Sequence, residues 1–271
     1  RKSDATMMRI PGESTSPTID MMTCSRLVSA EKSMIVSQMT KKISDTIRKD
    51  DICFLFYNVH ELGQAVCTMY TGIIQALCPI VEMQDAPGLK HFVVELPAHL
   101  VQGLQIGASV AIDGVCLTVT SIEGTRAIFD AMQETLLKTT IGSLNQGDQV
   151  NVERSARMGD EIGGHPMSGH VSTMAKIVDI SESENNKVVT FRVEQSWMNH
   201  IFSKGFISLD GASLTVVDAD KEVGTFKVWF IPETLRVTKF GIKKVGEFAN
   251  VEIDPQTQVI VETVERVVRS L

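Results

Sequence analysis

The chain has 271 residues, of which 43% are hydrophobic, so it is long enough to bury the cores of one large or two ordinary domains. Its formal net charge of −7 argues against nucleic acid or an anionic membrane surface as a partner, because such partners are usually bound by a surplus of Lys and Arg. The most apolar short stretch, ICFLFY at 52–57, is much shorter than the roughly 20 residues that cross a bilayer, so no membrane segment is predicted.

Cysteine and histidine usage gives little sign of a metal or redox site. The five cysteines show no CxxC spacing, which predicts neither a disulfide framework nor a zinc site and favours a reducing, cytoplasmic location. His165 and His170, five positions apart, form only a weak metal-site pattern. The sequence has no Walker loop and no GxGxxG, so we predict neither a metal nor a cofactor.

Residues 1–68 form a segment that is rich in Ser, Thr and Met and matches no other part of the chain. A fair helical pattern runs over 32–51. Acidic residues such as Asp4 and Glu13 argue against a transit segment, which is typically acid-poor. We expect an N-terminal extension that is largely disordered and outside the folded core.

Two copies of one domain follow. DGVCLTVT at 113–120 returns as DGASLTVV at 210–217, a shift of 97 positions, and ETL at 134–136 and NVE at 151–153 return at a shift of 99. Ordered matches of this kind are the signature of an internal repeat. We therefore interpret 69–166 and 167–254 as duplicated domains.

Within each copy, apolar residues alternate with period two in short runs such as HFVVEL at 91–96 and TFKVWFI at 225–231. This alternation predicts strands, and the Asp-Gly pairs between runs predict tight turns. Many short strands with regular turns are typical of a small closed barrel or a sandwich, and we interpret each copy as a β-barrel. AHLVQGL at 98–104 and SWMNHIF at 196–202 predict short helices that plug or cover each barrel.

The last segment, 255–271, has apolar residues at helical spacing and predicts an amphipathic helix. Asp254 followed by Pro255 is a favoured helix start, with the aspartate as N-cap. Two interpretations stay open. The helix packs on its own barrels, or it joins copies from other subunits in a bundle.

The strand after each Asp-Gly turn offers polar side chains on one face. Since alternate residues share a face, the aliphatic residues of this strand fill the barrel while Cys116 with Thr118, and Ser213 with Thr215, point outward. One interpretation is ordinary solvated strand residues. The recurrence of the pairs in both copies favours a platform for a flat, polyhydroxylated ligand.

The stretch MGDEIGGHPMSGHV at 158–171 crosses the join between the copies. Its glycines are compatible with a plain interdomain linker or with close approach of the backbone to a ligand. His165 and His170 are candidate acids or bases near neutral pH. His170 stands at the repeat position of Ile73, and the exchange of an aliphatic residue for histidine in one copy suggests a specialised role.

Six ordered motifs together resemble the alpha-chain type of riboflavin synthase, a lumazine-binding repeat family, over residues 69–271. They are MYTGIIQ at 69–75, GASVAIDGVCLTVT at 107–120, DEIGGHPMSGHV at 160–171, GFISLDGASLTV at 205–216, IPETL at 231–235 and NVEIDPQTQ at 250–258. The resemblance implies a mainly β fold of two tandem six-stranded Greek-key barrels with short helices. It also implies a homotrimer tied by the C-terminal helices, with lumazine synthase as a further partner.

The resemblance further implies a dismutation of two 6,7-dimethyl-8-ribityllumazine molecules. A four-carbon unit passes from one to the other, giving riboflavin and 5-amino-6-ribitylaminouracil without metal or cofactor. The productive pair of sites comes from the first barrel of one subunit and the second barrel of its neighbour. Two chemistries stay open, an added nucleophile and direct hydride transfer.

The family's functional residues fall on matching positions of this chain. The implied catalytic residues are Ser109 and Cys116 at the acceptor ring, His170 as proton shuttle, Ser213 at the donor ring, and Asp254 holding ribityl or relaying protons. The implied substrate-binding residues are Thr71, Ala111, Thr118, Glu134, Thr135, Lys204, Thr215, Glu233 and Thr234.

Two departures from the family pattern matter. Tyr70 stands where Phe is usual and adds a hydroxyl beside the pocket. The family starts at the equivalent of Met69, and we expect removal of residues 1–68 to leave activity equal or higher.

The runner-up function is a non-catalytic lumazine or flavin carrier of the same fold, which the retention of Cys116, His170, Ser213 and Asp254 disfavours. An oligonucleotide-binding barrel pair is disfavoured by the charge and by 6% aromatic residues.

Overall fold

The computed structural model describes residues 69–183 and 186–270. The extension predicted over 1–68, with its helical pattern at 32–51, lies outside the described residues.

The first copy folds into a closed antiparallel barrel in which the strands follow the order β1-β2-β5-β4-β3-β6. Its six strands are β1 (Ala76–Ala86), β2 (Leu89–Glu95), β3 (Ser109–Ile112), β4 (Val115–Glu123), β5 (Arg126–Met132) and β6 (Gln149–Arg154).

The second copy closes in the same way, with the strand order β10-β11-β8-β7-β12-β9. Its strands are β7 (Thr173–Ser183), β8 (Asn186–Arg192), β9 (Phe206–Leu209), β10 (Ala212–Asp220), β11 (Thr225–Phe230) and β12 (Phe248–Ile253). The prediction of two tandem six-stranded barrels is confirmed.

Short helices connect and cover the strands. The α-helices are α1 (Ala98–Val101), α2 (Gln133–Lys138), α3 (Pro232–Val237) and α4 (Pro255–Arg269), and the 3-10 helices span Thr140–Ser143, Gln195–His200 and Lys239–Gly241. As predicted, α1 and the 3-10 helix at Gln195–His200 occupy matching places in the two copies, where they bury Leu100 and Met198. Among the described residues, no helix has the length and apolar character that crossing a bilayer requires.

The core of each barrel is filled by one face of its strands. In β4, Val115, Leu117 and Val119 are buried, while Cys116 is half-buried and Thr118 is exposed. This alternation confirms the predicted inner and outer faces, and it repeats in β10. The Asp-Gly turn that precedes β4 has positive φ at both residues, as a two-residue hairpin turn requires.

Reciprocal hydrogen bonds join the two barrels at these turns. The side-chain N–H of Asn151 donates to the carbonyl of Asp210 over 2.9 Å, and that of Asn250 donates to the carbonyl of Asp113 over 2.8 Å. Each asparagine belongs to the last strand of its own barrel and each aspartate to the turn of the other. The duplicated sequence thus folds into two barrels that share a two-fold-like contact.

Both aspartates are fully buried, and lysines of the second barrel compensate their charges. Lys239 Nζ lies 2.6 Å from Asp113 Oδ2, and Lys243 Nζ lies 2.9 Å from Asp210 Oδ2. Burial pushes the pKa of Lys239 down, but the carboxylates of Asp113 and Asp210 outweigh it and raise that pKa above its ordinary value. Lys239 is therefore a charged partner inside the interface.

The C-terminal helix α4 begins as predicted. Asp254 is its N-cap, and its Oδ2 accepts hydrogen bonds from the N–H and the hydroxyl of Thr257 at 2.9 and 2.7 Å. The helix buries none of its residues. An apolar stripe on α4 is more than half exposed and consists of Val259, Ile260, Val264 and Val268. This exposure favours the second of the two interpretations, in which α4 meets other subunits.

Candidate functional site

A first platform lies on the outer face of β3 and β4. Ser109 pairs with Thr118, and Ala111 pairs with Cys116, so these four predicted residues lie side by side. Ser109 and Cys116 are half-buried, Ala111 is buried and Thr118 is exposed. The structure therefore brings the predicted first-barrel set together on one rigid surface.

Tyr70 covers one side of this platform. Its ring is fully buried, and its hydroxyl donates to Cys116 Sγ at 3.2 Å. Burial and the hydrogen bond to Cys116 raise the pKa of the Tyr70 phenol, while a hydrogen bond with Ser109 acts in the opposite direction. The hydroxyl that distinguishes this chain from the usual family pattern thus links two predicted catalytic residues.

His170 directly follows a residue that contacts the first platform. The preceding residue, Gly169, accepts a hydrogen bond from the N–H of Cys116 at 2.9 Å. The imidazole of His170 is exposed, and its backbone N–H donates to Ser168 Oγ at 3.2 Å. A residue from the join between the copies is therefore placed beside the first barrel's cysteine.

A second platform repeats this arrangement on β9 and β10. Ser208 pairs with Ser213, and Phe206 pairs with Thr215. Ser213 is half-buried and Thr215 is exposed, as Cys116 and Thr118 are in the first barrel. The two predicted pairs hence occupy equivalent places in the two copies.

His165, which the sequence names as a candidate acid or base without assigning it to a barrel, belongs to the second platform. Its Nδ1 lies 2.6 Å from Ser213 Oγ, and its ring stacks on Phe206 with centroids 5.2 Å apart. Burial lowers the pKa of His165, and the carboxylate of Asp254 acts against that shift. The imidazole is therefore neutral at pH 7 and shares its surroundings with two predicted catalytic residues, Ser213 and Asp254. The only available signal was its place in the GGHPMSGH motif.

Gly72 contacts the second platform although it precedes the first barrel. The N–H of Ser213 donates to the carbonyl of Gly72 at 2.9 Å. The approach is close in both copies, because a Cβ on Gly72 would lie 2.4 Å from the Ser213 Cβ, and a Cβ on Gly169 would lie 2.6 Å from the Cys116 Cβ. Both glycines also have positive φ, so other residues are disfavoured at these positions.

Two buried carboxylates accept hydrogen bonds from the backbone of these glycines, and neither was predicted as a functional residue. Glu153 is 1% exposed and Glu252 is 3% exposed. Burial raises the pKa of Glu153 to about 7 and raises that of Glu252, against the hydrogen bonds that each carboxylate accepts. The signal in the sequence was the repeated NVE triplet, of which these glutamates are the last residues.

The remaining predicted residues make local contacts. Glu134 pairs with Lys138 at 2.7 Å, and Glu233 pairs with Arg236 at 2.6 Å, all with exposed side chains. The half-buried Thr135 and Thr234 lie one residue after these glutamates, and the backbone carbonyls of both threonines accept N–H groups within the same turns. Lys204 is exposed, with φ 69°, and its N–H donates to the Val216 carbonyl at 2.7 Å.

An open cavity of about 540 Å³ adjoins the segment that contacts the second platform. Its lining includes Thr71, Ile73, Glu153 and Gly163. This volume is in the range of small-molecule sites. Over residues 69–183 and 186–270, no three His, Cys, Asp or Glu side chains are grouped as a metal site would need.

A family profile described as "Lumazine binding domain" matches the chain twice, over residues 71–155 and 168–254. The riboflavin synthase of Escherichia coli (strain K12) is 52% identical over 200 residues, which are 73% of this chain and 93% of that protein. The riboflavin synthase of Chlamydia pneumoniae is 43% identical over 203 residues, 74% of this chain and 98% of that protein.

Solved structures of a similar fold include LumP in complex with riboflavin, with a TM-score of 0.63 and 22% identity over 68% of this chain and 98% of LumP. LumP in complex with 6,7-dimethyl-8-(1'-D-ribityl) lumazine has a TM-score of 0.62 and 22% identity over 68% of this chain and 99% of LumP. At this level of identity the likeness supports the double-barrel fold.

Proposed function

The chain belongs to the riboflavin synthase family and contains the lumazine binding domain twice, and from this membership we infer its reaction. It is a transferase that converts two molecules of 6,7-dimethyl-8-ribityllumazine into riboflavin and 5-amino-6-ribitylaminouracil by moving a four-carbon unit between them.

The observation that carries this proposal is the pair of equivalent platforms. A reaction between two identical molecules needs two similar pockets, and Cys116 with Thr118 on one barrel matches Ser213 with Thr215 on the other. Orienting two reactants in this way contributes about 7–11 kcal/mol to lowering a barrier in favourable cases. The duplicated domain therefore suits the chemistry of a dismutation.

The two platforms differ in ways that suit different roles. We assign the acceptor molecule to the first platform, where Cys116 and Ser109 are linked through Tyr70 and His170 directly follows a residue that contacts Cys116. We assign the donor to the second, where Ser213 contacts the neutral imidazole of His165 and Asp254 is nearby. A neutral imidazole is a suitable acceptor for a proton from the acidic methyl group of a lumazine.

The productive pair is proposed to form between subunits of a homotrimer, with the first barrel of one subunit facing the second barrel of the next. The exposed apolar stripe of α4 supports this assembly, because an exposed apolar helix face is typical of an interface. We also propose a cytoplasmic location, as expected from the cysteine content, and lumazine synthase as a partner that supplies substrate.

The alternative of a non-catalytic carrier is not favoured. Riboflavin synthases of 36 to 52% identity cover 69 to 74% of this chain. The LumP structures share only 21 to 22% identity with it.

The test is incubation of the purified chain with 6,7-dimethyl-8-ribityllumazine alone. We expect one riboflavin for every two lumazines consumed, and a strong loss of turnover in Cys116→Ala and Ser213→Ala. Ser181→Ala, an exposed strand residue away from both platforms, is the matched control. Binding of the lumazine without any flavin formation would identify a carrier instead.

A further inference from the structure

Glu153 belongs to the last strand of the first barrel, but the segment it holds contacts the second. Its Oε1 accepts the N–H of Thr71 at 2.6 Å and the Thr71 hydroxyl at 2.8 Å, and its Oε2 accepts the N–H of Gly72 at 3.1 Å. The carbonyl of Gly72 then accepts the N–H of Ser213. A carboxylate of one barrel thus fixes the backbone against which the other barrel's platform rests.

Glu252 repeats this arrangement in the opposite direction. Its Oε1 accepts the N–H and the hydroxyl of Ser168 at 2.7 and 2.8 Å, and its Oε2 accepts the N–H of Gly169 at 3.0 Å. The carbonyl of Gly169 accepts the N–H of Cys116 in the first barrel. The two sets of contacts match atom for atom.

A carboxylate is the side chain best suited to hold each of these backbone segments in place. Each segment offers three donors to one buried group, and the ionised carboxylate, which for Glu153 prevails above its pKa of about 7, accepts at both oxygens without donating. Hydrogen bonds to a charged acceptor are stronger than those between neutral groups, which keeps the segment in one conformation. An amide of the same shape would turn a donor toward the glycine N–H and lose that contact.

We propose that Glu153 and Glu252 are positioning residues that act crosswise: Glu153 of the first barrel sets the geometry of the Ser213 platform, and Glu252 of the second barrel sets that of the Cys116 platform. The functional meaning of the platforms rests on the proposed function, while the crosswise positioning does not.

The test compares Glu153→Gln with Glu252→Gln by hydrogen exchange with residue-level resolution at pH 8, where Glu153 is mostly ionised, in the full chain and without ligand. We expect exchange of the Ser213 amide to accelerate about tenfold in Glu153→Gln while the Cys116 amide is unchanged. Glu252→Gln should give the reverse pattern. Since no substrate is present, the result does not depend on whether the chain turns over lumazine.

A merely structural role predicts a different pattern. If each glutamate only stabilised its own barrel, Glu153→Gln would accelerate exchange at Cys116 and Glu252→Gln at Ser213. Either that pattern or equal acceleration of both amides in each variant would overturn the proposal.

A milder pair of variants covers the case in which a glutamine variant does not fold. Thr71→Val and Ser168→Ala each remove one hydroxyl donor to the glutamate and keep the backbone N–H groups. We expect the same crosswise pattern with an acceleration of about threefold. Unchanged exchange at both amides in both variants contradicts the proposal.

Riboflavin binding adds a functional readout. Bound riboflavin should protect Cys116 from alkylation less well in Glu252→Gln than in the wild type, and equally well in Glu153→Gln. The opposite order counts against crosswise action. Absence of protection in the wild type would count against the proposed function and leave the exchange result standing.

Discussion

The imidazole Nδ1 of His165 lies 2.6 Å from the hydroxyl oxygen of Ser213. The histidine comes from the segment between the barrels and the serine from β10, so the contact ties the join to the second platform. Since burial lowers the pKa of His165, a neutral ring is available at pH 7 to orient the Ser213 hydroxyl.

Replacing His165 by Phe tests this contact. Phe keeps a ring to stack on Phe206 but cannot hydrogen bond to Ser213. Loss of one such hydrogen bond costs about 0.5–1.5 kcal/mol, so we expect kcat/KM for ribityllumazine to fall about two- to tenfold. The decrease should be larger if the ring also accepts a proton during the reaction. Steady-state kinetics measures this change in kcat/KM, and Phe206→Leu is the control for loss of ring stacking. Unaltered kcat/KM in His165→Phe would remove the histidine from the site.

Tyr70→Phe tests the link between Tyr70 and Cys116. The phenol donates to the sulfur, so the variant removes a contact that holds the half-buried Cys116 side chain in its orientation on the platform. We expect iodoacetamide to modify Cys116 about two- to fivefold more slowly at a fixed pH in the variant. Mass spectrometry of the Cys116 peptide gives the rate, and the buried Cys78 is an internal reference. Equal or faster modification contradicts the predicted role of the hydroxyl.

The pKa of Glu153 predicts a pH-dependent stability. Burial raises this pKa from its ordinary 4.5 to about 7, so between these pH values the folded chain binds more protons than the unfolded chain. Stability attributable to Glu153 is therefore fully present below pH 4.5 and decreases, by about 3 kcal/mol in all, as the pH rises through 7. Glu153→Gln should lack this component.

Urea unfolding of both proteins at pH 5 and pH 7.5, at one protein concentration, measures the difference. We expect the stability gap between the wild type and the variant to change by that amount between the two pH values. A gap that stays constant shows that Glu153 does not titrate in this range.

Lys239→Met tests the buried ion pair between the barrels. The variant leaves the fully buried Asp113 carboxylate without its 2.6 Å partner, which typically costs about 3–5 kcal/mol. Adding Asp113→Asn removes the charge and keeps an oxygen to accept the N–H of Asn151, so the double variant should recover most of the loss. Thermal unfolding of the two variants decides this. A double variant no more stable than Lys239→Met would show that charge is not the cause.

Val264→Asp tests the role of α4. A carboxylate in the apolar stripe should weaken an interface there, and we expect sedimentation to shift from the proposed homotrimer toward a monomer, with loss of turnover. Gln256→Asp, at an exposed position in the first turn of the same helix, is the matched control. Trimers of undiminished stability in Val264→Asp would place the subunit contacts elsewhere.

The fold was predictable because each of its signals is local. The alternation of Val115, Leu117 and Val119 with Cys116 and Thr118 fixes which face of β4 is buried, and the Asp254-Pro255 pair fixes where α4 begins. The alternation of buried and outward residues seen in β4 recurs in β10, because the two copies share one sequence pattern. The outward platforms followed from the same alternation.

Contacts between the barrels were not predictable in this way. The position of His165 beside Ser213 depends on how the join crosses the second barrel, and no periodicity encodes that path. Thr71 is still predicted to bind substrate and lines the cavity, but the hydrogen bond from its hydroxyl to Glu153 had no sign in the sequence. Glu153 itself lies in an ordinary alternating strand pattern, and the sequence shows neither its burial nor the three donors that surround it.

The two lysines of the interface impose a rule on which halves associate. The first half contributes one charged residue to this interface, Asp113, because Thr140 and Leu144 stand at the repeat positions of Lys239 and Lys243. The second half contributes both lysines and therefore the surplus of positive charge. Two first halves placed face to face would oppose a pair of uncompensated anions, and two second halves would accumulate cations. Divergence after duplication has thereby made unlike association electrostatically favoured, which discourages mispairing between nascent chains.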